Sequence, residues 1–200
     1  MRWLTLYLRS RRVPVALAAT AGTVVLMWSL WTAFSETRDV GVPMVILTVL
    51  LCVAALTATL AGPDDALERT GSLPWPRRRA AHLLGALAVV VLLLLATLAT
   101  GARFGPAGLV VRDAAGLLGL TALGATTVGA ARSWFLPLAW TLVTLVLSLP
   151  ETAWAQVLTW QIQAPGNVVA GLTAGLLATA GSLAYAVAGP ARQAPAEATL

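Results

Sequence analysis

Apolar residues run through this sequence in long stretches, and short segments between them carry most of its charges. Six stretches approach the roughly 20 apolar residues that cross a hydrocarbon layer of about 30 Å. They cover residues 13–34, 42–60, 80–100, 107–131, 133–149 and 167–188. Because continuous apolar runs differ from the alternation of membrane β-strands over about ten residues, each stretch predicts a membrane-spanning helix.

The composition agrees with this pattern. The chain of 200 residues is 58% hydrophobic and 10% charged, and its mean hydropathy of +0.83 lies far outside the range of soluble domains. We therefore predict an all-α integral membrane protein with one domain of six transmembrane helices, residues 13–188. The fifth stretch is short and contains Pro137. The fourth contains Arg112 and Asp113 near its start, where snorkelling or helix capping would explain the two charges.

The first twelve residues, "MRWLTLYLRSRR", predict an amphipathic helix at the membrane interface. Its apolar face contains Trp3, Leu4, Tyr7 and Leu8, and its polar face contains Arg2, Thr5, Arg9 and Arg12. Trp3 and Tyr7 would lie at the lipid headgroups, and Arg9 would face phosphate or water. The alternative is a disordered basic leader. The apolar run that follows has 22 residues. The hydrophobic region of a typical signal peptide has only about 7–15 residues, so we expect this run to be a retained first helix.

The basic residues predict the orientation of the chain. All thirteen are Arg. If the N-terminus is cytoplasmic, ten lie in inner segments and three in outer ones, which is the positive-inside pattern. The inner residues are Arg2, Arg9, Arg11, Arg12, Arg69, Arg77, Arg78, Arg79, Arg132 and Arg192, and the outer ones are Arg38, Arg103 and Arg112. We predict a multi-pass protein of the plasma membrane with both termini cytoplasmic, including a tail at 189–200. The basic excess then reflects topology, and we expect no nucleic-acid partner.

The cytoplasmic loop at 61–79 combines two polar segments. The first, "DDALE", contains Asp64, Asp65 and Glu68, which predict a short capped helix that ends at Gly71. Alternatively, these carboxylates hold Mg²⁺ against a diphosphate, as in the aspartate-rich motif of intramembrane prenyltransferases, a family with a second such motif and more helices. The second segment is a membrane anchor. It consists of Trp75, Arg77, Arg78 and Arg79, beside which His82 is expected to pack or lie at the interface.

Residues 150–166, "PETAWAQVLTWQIQAPG", are too apolar for an ordinary loop and too short to span a membrane. Trp154, Val157, Leu158 and Ile162 share one helical face. A helix that dips into the outer leaflet as a re-entrant element, or an interfacial helix that lies flat on it, explains this pattern equally well. Either way, Trp154 and Trp160 are predicted to anchor the segment at the membrane interface.

Small residues predict close helix packing in lipid. Gly171, Gly175 and Thr179 recur every four residues in the last stretch, and Gly116 and Gly124 lie on one face of the fourth.

Residues for catalysis are scarce. The sequence contains one His, one Cys at position 52, no phosphate-binding loop and no metal-ligand spacing. We therefore predict no catalytic, cofactor-binding or metal-binding residues, and no enzymatic activity of the chain by itself.

The order of these elements resembles the transmembrane subunit of ABC-2-type exporters. The segments "DDALERTGSLPWPRRRAAHLL" (64–84) and "WQIQAPGNVVAGLTAGLLATAGSLAYAVAGPAR" (160–192) resemble small ABC permeases from actinobacteria. The resemblance implies a separate ABC ATPase subunit, which binds the ATP and Mg²⁺, and a second permease copy or a homologous permease. It also implies a coupling helix at about 64–70 that docks on the ATPase through Asp64, Asp65, Leu67, Glu68 and Arg69.

Function is thus expected to be ATP-driven export of a hydrophobic or amphipathic substrate. Two other classes fit the composition: an Mg²⁺-dependent intramembrane transferase acting on a lipid diphosphate, and a non-transporting membrane scaffold or immunity protein.

Overall fold

The computed structural model describes residues 10–61, 75–147 and 152–191. Its regular structure within these ranges is helical, apart from one isolated bridge between Asp39 and Arg103. The helices are α1 (Val13–Phe34), α2 (Val42–Leu56), α3 (Trp75–Thr97), α4 (Ala107–Thr127), α5 (Phe135–Val146), α6 (Ala153–Leu158) and α7 (Val168–Ala188). Short 3₁₀ turns follow α2 (Thr57–Thr59), precede α5 (Ala130–Arg132) and follow α6 (Trp160–Ile162).

Five of these helices are long and apolar enough to cross a membrane: α1, α2 with its 3₁₀ turn, α3, α4 and α7. The fifth predicted stretch forms a shorter apolar helix, Ala130–Val146. The third begins at Trp75 instead of residue 80, because Pro76 is tolerated in a first helical turn and the arginines that follow continue the helix. The segment before the last stretch forms α6 and its 3₁₀ turn.

Helix α4 lies at the centre of the bundle. In its most apolar stretch 72% of residues are buried, against 17–50% in the four other long helices. It packs most extensively against α7, where the two backbones touch without intervening side chains. A Cβ on Gly119 would collide with the Leu177 carbonyl, and a Cβ on Gly181 would collide with the Gly119 carbonyl. Close backbone approach of this kind is the packing that small residues permit in lipid.

The predicted small-residue stripe of α7 contacts no other described helix. Gly171 and Gly175 have open space where a Cβ would be, and Thr179 is exposed. Gly116 and Gly124 of α4 do lie at close contacts, with Trp160 and Ser133 respectively. Within the described residues, the intramolecular contact therefore uses a different side of α7, which contains Gly181, from the one that the sequence pattern indicated.

The helix termini and the connections between helices lie at two opposite ends of the bundle, which we call the first end and the second end. The first end contains residue 11, the 3₁₀ turn Thr57–Thr59, the start of α3 and the last turn of α7. The second end contains the loops at 35–41 and 98–106, which are joined by the Val40 N to Arg103 O bond of 3.0 Å, together with α6. Each end contains a buried polar cluster.

Candidate functional site

The Arg112 cluster is centred on two adjacent charged residues, Arg112 and Asp113, in the second turn of α4. Both are buried, with 8% and 0% of their surface exposed. Arg112 Nε donates to Asp113 Oδ1 at 3.0 Å. Since an unpaired charge at the bilayer centre costs about 2.5–3.5 kcal/mol on insertion scales, this pairing stabilises both residues in an apolar helix.

The same guanidinium binds the chain segment that follows α6. Arg112 Nη2 donates to the Gln161 carbonyl at 2.8 Å, and Nη1 donates to the carbonyls of Gln163 and Ala164 at 2.9 and 3.1 Å. These carbonyls lie at the end of a short 3₁₀ turn and just after it, where the intrahelical hydrogen bonds stop, and the Ala164 carbonyl also accepts from Asn167 N at 3.0 Å. The snorkelling and capping roles that the sequence suggested for Arg112 and Asp113 are therefore wrong, because both side chains are buried: Arg112 connects α4 to the segment after α6, and Asp113 pairs with Arg112.

Further contacts fix this segment between α4 and α5. The Trp160 ring is fully buried against Gly116, where a Cβ would collide with it. Gln161 Nε2 donates to Thr141 Oγ1 at 3.2 Å. The Leu158 carbonyl accepts from Trp140 Nε1 at 2.9 Å and from Thr144 Oγ1 at 3.0 Å. The segment thus lies inside the second end of the bundle, bound to two neighbouring helices.

Three buried polar atoms of the Arg112 cluster have no hydrogen-bond partner among the described residues: Asp113 Oδ2, Gln161 Oε1 and Trp160 Nε1. Buried polar atoms normally bind a partner, so these are the positions where a water molecule or a polar ligand group would be accepted.

The Tyr185 cluster lies at the first end of the bundle and comprises Arg11, Thr59, Leu60, His82 and Tyr185. Tyr185 Oη donates to the Leu60 carbonyl at 2.6 Å and is 3.4 Å from Arg11 Nη1. Arg11, with 2% of its surface exposed, also approaches the Thr59 carbonyl at 3.4 Å. This cluster joins the N-terminal segment, the end of α2, the start of α3 and the end of α7.

The hydrogen bonds of Thr59 fix the tautomer of His82. The Thr59 hydroxyl has one proton, which it donates to the Leu56 carbonyl at 2.7 Å. His82 Nε2 lies 2.8 Å from the same oxygen, so this nitrogen carries a proton and acts as the donor. His82 is therefore a structural hydrogen-bond donor, within the packing role that the sequence suggested.

The predicted anchor and docking residues fall into three groups. Trp3, Tyr7 and Arg9, and all five docking residues (Asp64, Asp65, Leu67, Glu68 and Arg69), lie outside the described residues. Trp75, Arg77, Arg78 and Trp154 are partly or well exposed, and Arg78 Cζ lies 5.7 Å from the Trp75 ring centroid. The third group, Arg79 and Trp160, is buried. In these positions both side chains pack in the interior of the described bundle.

The described ranges contain few groups that could bind a metal ion. No group of three or more His, Cys, Asp or Glu residues lies there in a metal-binding arrangement, and Cys52 is a buried thiol without a disulfide partner. Sequence reasoning missed Tyr185, Thr59 and Gln161; the signal available for Tyr185 was an aromatic hydroxyl near the end of an otherwise apolar helix.

No family model matches the sequence, and no curated protein or solved structure matches the chain.

Proposed function

We propose that the chain is the membrane-spanning subunit of an ATP-driven exporter that works with a separate ATPase and moves a hydrophobic or amphipathic substrate. The observation that carries the proposal is the position of α6 and its 3₁₀ turn, packed into one end of the apolar bundle directly before the last long helix. This is the order of elements that the resemblance to ABC-2-type permeases implies.

In this proposal the helix Ala130–Val146 is a sixth span. Its 17 residues reach about 26 Å at 1.5 Å per residue, close to the roughly 30 Å of a hydrocarbon layer. Residues 153–162 would then be a re-entrant element, since they bind groups inside the bundle, such as Gly116 and Thr141.

The distribution of charge supports cytoplasmic termini. Among the described residues, the first end of the bundle contains arginines and no acidic residue: Arg11, Arg12, Arg77, Arg78, Arg79 and Arg132. The described part of the second end contains three arginines and three acids: Arg38, Arg103, Arg112, Glu36, Asp39 and Asp113. An arginine-rich end facing the cytoplasm follows the positive-inside rule, and it would place the loop at 62–74 on the same side as an ATPase.

Purification of the tagged chain from its native membranes tests the proposal. A nucleotide-binding protein should co-purify, and its ATP hydrolysis should depend on the chain. Reversing the charges of Glu68 and Arg69 together should abolish that dependence while the two proteins remain associated. The matched control is Arg132→Gln, because Arg132 is exposed at the same end of the bundle.

Two results would overturn the proposal. The first is the absence of any nucleotide-binding protein from the purified complex. The second is an unchanged ATP hydrolysis rate after the charge reversal, which would show that the coupling assignment is wrong.

A further inference from the structure

Three buried polar atoms of the Arg112 cluster lie where two elements of the bundle meet. Asp113 Oδ2 belongs to α4, and Trp160 Nε1 and Gln161 Oε1 belong to the 3₁₀ turn after α6. All three residues are fully buried, with 0% of their surface exposed. None of the three atoms has a hydrogen-bond partner among the described residues, although buried polar atoms normally have one.

The contacts of the cluster hold these residues close together. The Arg112 guanidinium binds both Asp113 Oδ1 and the Gln161 carbonyl, at 3.0 and 2.8 Å. The Trp160 ring packs on Gly116, which follows Asp113 by three positions and therefore lies on the same face of α4. A single small molecule between the two elements is thus within reach of polar atoms from both.

The hydrogen-bonding character of the three atoms defines the class of ligand. Asp113 Oδ2 and Gln161 Oε1 accept hydrogen bonds, whereas the indole Nε1 of Trp160 only donates. A ligand that satisfies all three atoms must donate two hydrogen bonds and accept one. Turning the Gln161 side-chain amide over exchanges its acceptor for a donor, and the ligand must still donate to Asp113 and accept from Trp160.

Charge disfavours an ion at this position. A cation cannot accept from Trp160 Nε1, and it would be repelled by Arg112, which already pairs with the Asp113 carboxylate at 3.0 Å. An anion would be repelled by that carboxylate, and repulsion is strong in an interior of low dielectric constant. The cluster therefore favours a neutral molecule that both donates and accepts, as a water molecule or a hydroxyl group does.

Size favours water over the hydroxyl group of a larger molecule. The Trp160 ring contacts Gly116 so closely that a single Cβ at residue 116 would collide with it. A larger molecule would have to displace this fully buried ring. A water molecule, by contrast, needs only about 10–15 Å³ of probe-occupied space and two to four polar partners.

We propose that the Arg112 cluster is the binding site of a buried water molecule. The water donates to Asp113 Oδ2 and Gln161 Oε1 and accepts from Trp160 Nε1. It links α4 to the segment after α6, in addition to the direct hydrogen bonds of Arg112. The site needs neither an ATPase nor a transported substrate, so it stands independently of the proposed function.

Nuclear magnetic resonance on the isolated chain in lipid nanodiscs tests the site. Isotope labelling of the tryptophan nitrogens gives an indole signal for each of the 8 Trp residues, and Trp160→Phe identifies the signal of Trp160. The Trp160 indole proton should show a nuclear Overhauser effect to water with the sign of a long-lived contact. Trp140 is the matched control and should show no such effect, because its Nε1 donates to the Leu158 carbonyl at 2.9 Å.

Two glutamine variants test whether Gln161 binds the same water. Gln161→Leu removes one of the three partners, so the effect at Trp160 should weaken about fivefold, the factor that corresponds to one lost hydrogen bond. Gln163→Leu is the matched control and should leave the effect unchanged, because the Gln163 amide donates to Thr159 Oγ1 at 2.9 Å. Unchanged indole signals of the other tryptophans verify that each variant is folded, and the unmutated chain decides the proposal if one is not.

Three results would overturn the water site. The first is the absence of the effect at Trp160 in the unmutated chain. The second is an equal effect in folded Gln161→Leu and Gln163→Leu. The third is a hydroxyl-bearing compound that mass spectrometry finds in the purified chain and whose removal abolishes the effect, because the site would then bind that compound instead of water.

Discussion

The two polar clusters lie at opposite ends of the same helix bundle and are built from different chemistry. The Arg112 cluster pairs two full charges and binds three backbone carbonyls of a segment about 50 residues away in the chain. The Tyr185 cluster contains hydroxyl, imidazole and guanidinium groups around two backbone carbonyls, and among the described residues it contains no acid.

This difference indicates different mechanical roles. Buried charges that lose a partner are strongly destabilising, so an arrangement like the Arg112 cluster holds one geometry. In the Tyr185 cluster the described acceptors are neutral hydroxyl and carbonyl oxygens, and the described contacts of Arg11 are long, at 3.4 Å, so these hydrogen bonds exchange partners at lower cost. We interpret the second end as the fixed end of the bundle and the first end as the one that rearranges.

The largest effect is expected from Arg112→Gln. The substitution leaves the buried Asp113 without its cation and weakens the binding of three carbonyls, so the free energy of unfolding should fall by about 3–5 kcal/mol. Denaturant titration in mixed micelles measures this change. The control, Arg132→Gln, removes an exposed arginine at the other end and should change stability by less than about 0.5 kcal/mol.

A double substitution tests whether the loss of stability in Arg112→Gln arises from the unpaired charge of Asp113. Arg112→Leu with Asp113→Leu removes both charges, so it should recover part of the loss seen for Arg112→Gln. Recovery should be incomplete, since the carbonyls of residues 161 and 163 still lose the Arg112 donor, whereas the Ala164 carbonyl keeps its bond from Asn167 N. If Arg112→Gln and Arg132→Gln were equally stable, the Arg112 cluster would not be the fixed end.

Gly116→Ala is expected to have the next largest effect. A Cβ there would collide with the fully buried ring of Trp160, and overpacking of this kind costs about 1–3 kcal/mol. The same titration measures it, with Gly175→Ala as the control because a Cβ at 175 enters open space. Equal stability of the two variants would mean that Trp160 does not occupy this position.

Tyr185→Phe should cost about 1 kcal/mol, because the aromatic ring remains while the short hydrogen bond to the Leu60 carbonyl and the long contact with Arg11 Nη1 are lost. Denaturant titration gives the stability change, and hydrogen exchange should place it at residues 57–61. A loss as large as that of Arg112→Gln would remove the contrast between the two ends.

The smallest effect is expected from His82→Phe, at about 0.5 kcal/mol. His82 donates to Thr59 Oγ1, and that hydroxyl keeps its bond to the Leu56 carbonyl when the imidazole is removed. No buried polar atom is then left without a partner, unlike the Leu60 carbonyl in Tyr185→Phe. A titration that ranked His82→Phe as more damaging than Tyr185→Phe would contradict this hydrogen-bond assignment.

The long helices were largely predictable from the sequence. Helix α1 has the predicted bounds, and α7 begins one residue after them, at Val168, because Asn167 caps it by accepting from Ala170 N at 2.9 Å. A run of apolar residues of bilayer length is a strong local signal, so these helices can be predicted without knowledge of tertiary contacts.

The clusters were not predictable in the same way, because their partners are distant in the chain. The carbonyls that bind Arg112 belong to residues 161, 163 and 164, and nothing in the local pattern around Arg112 indicates them. The glycine pattern had the same limit. Gly171 and Gly181 look alike in sequence, yet only Gly181 meets another helix within the described residues.

The interpretation of one fixed and one rearranging end is tested most directly by hydrogen exchange on the complex of the chain with the nucleotide-binding protein that the proposed function expects to co-purify. We predict that ATP changes amide exchange at residues 57–61 and 186–191, around the Tyr185 cluster, and leaves residues 158–164 of the Arg112 cluster unchanged. A change at 158–164 with none at 57–61 and 186–191 would contradict the account.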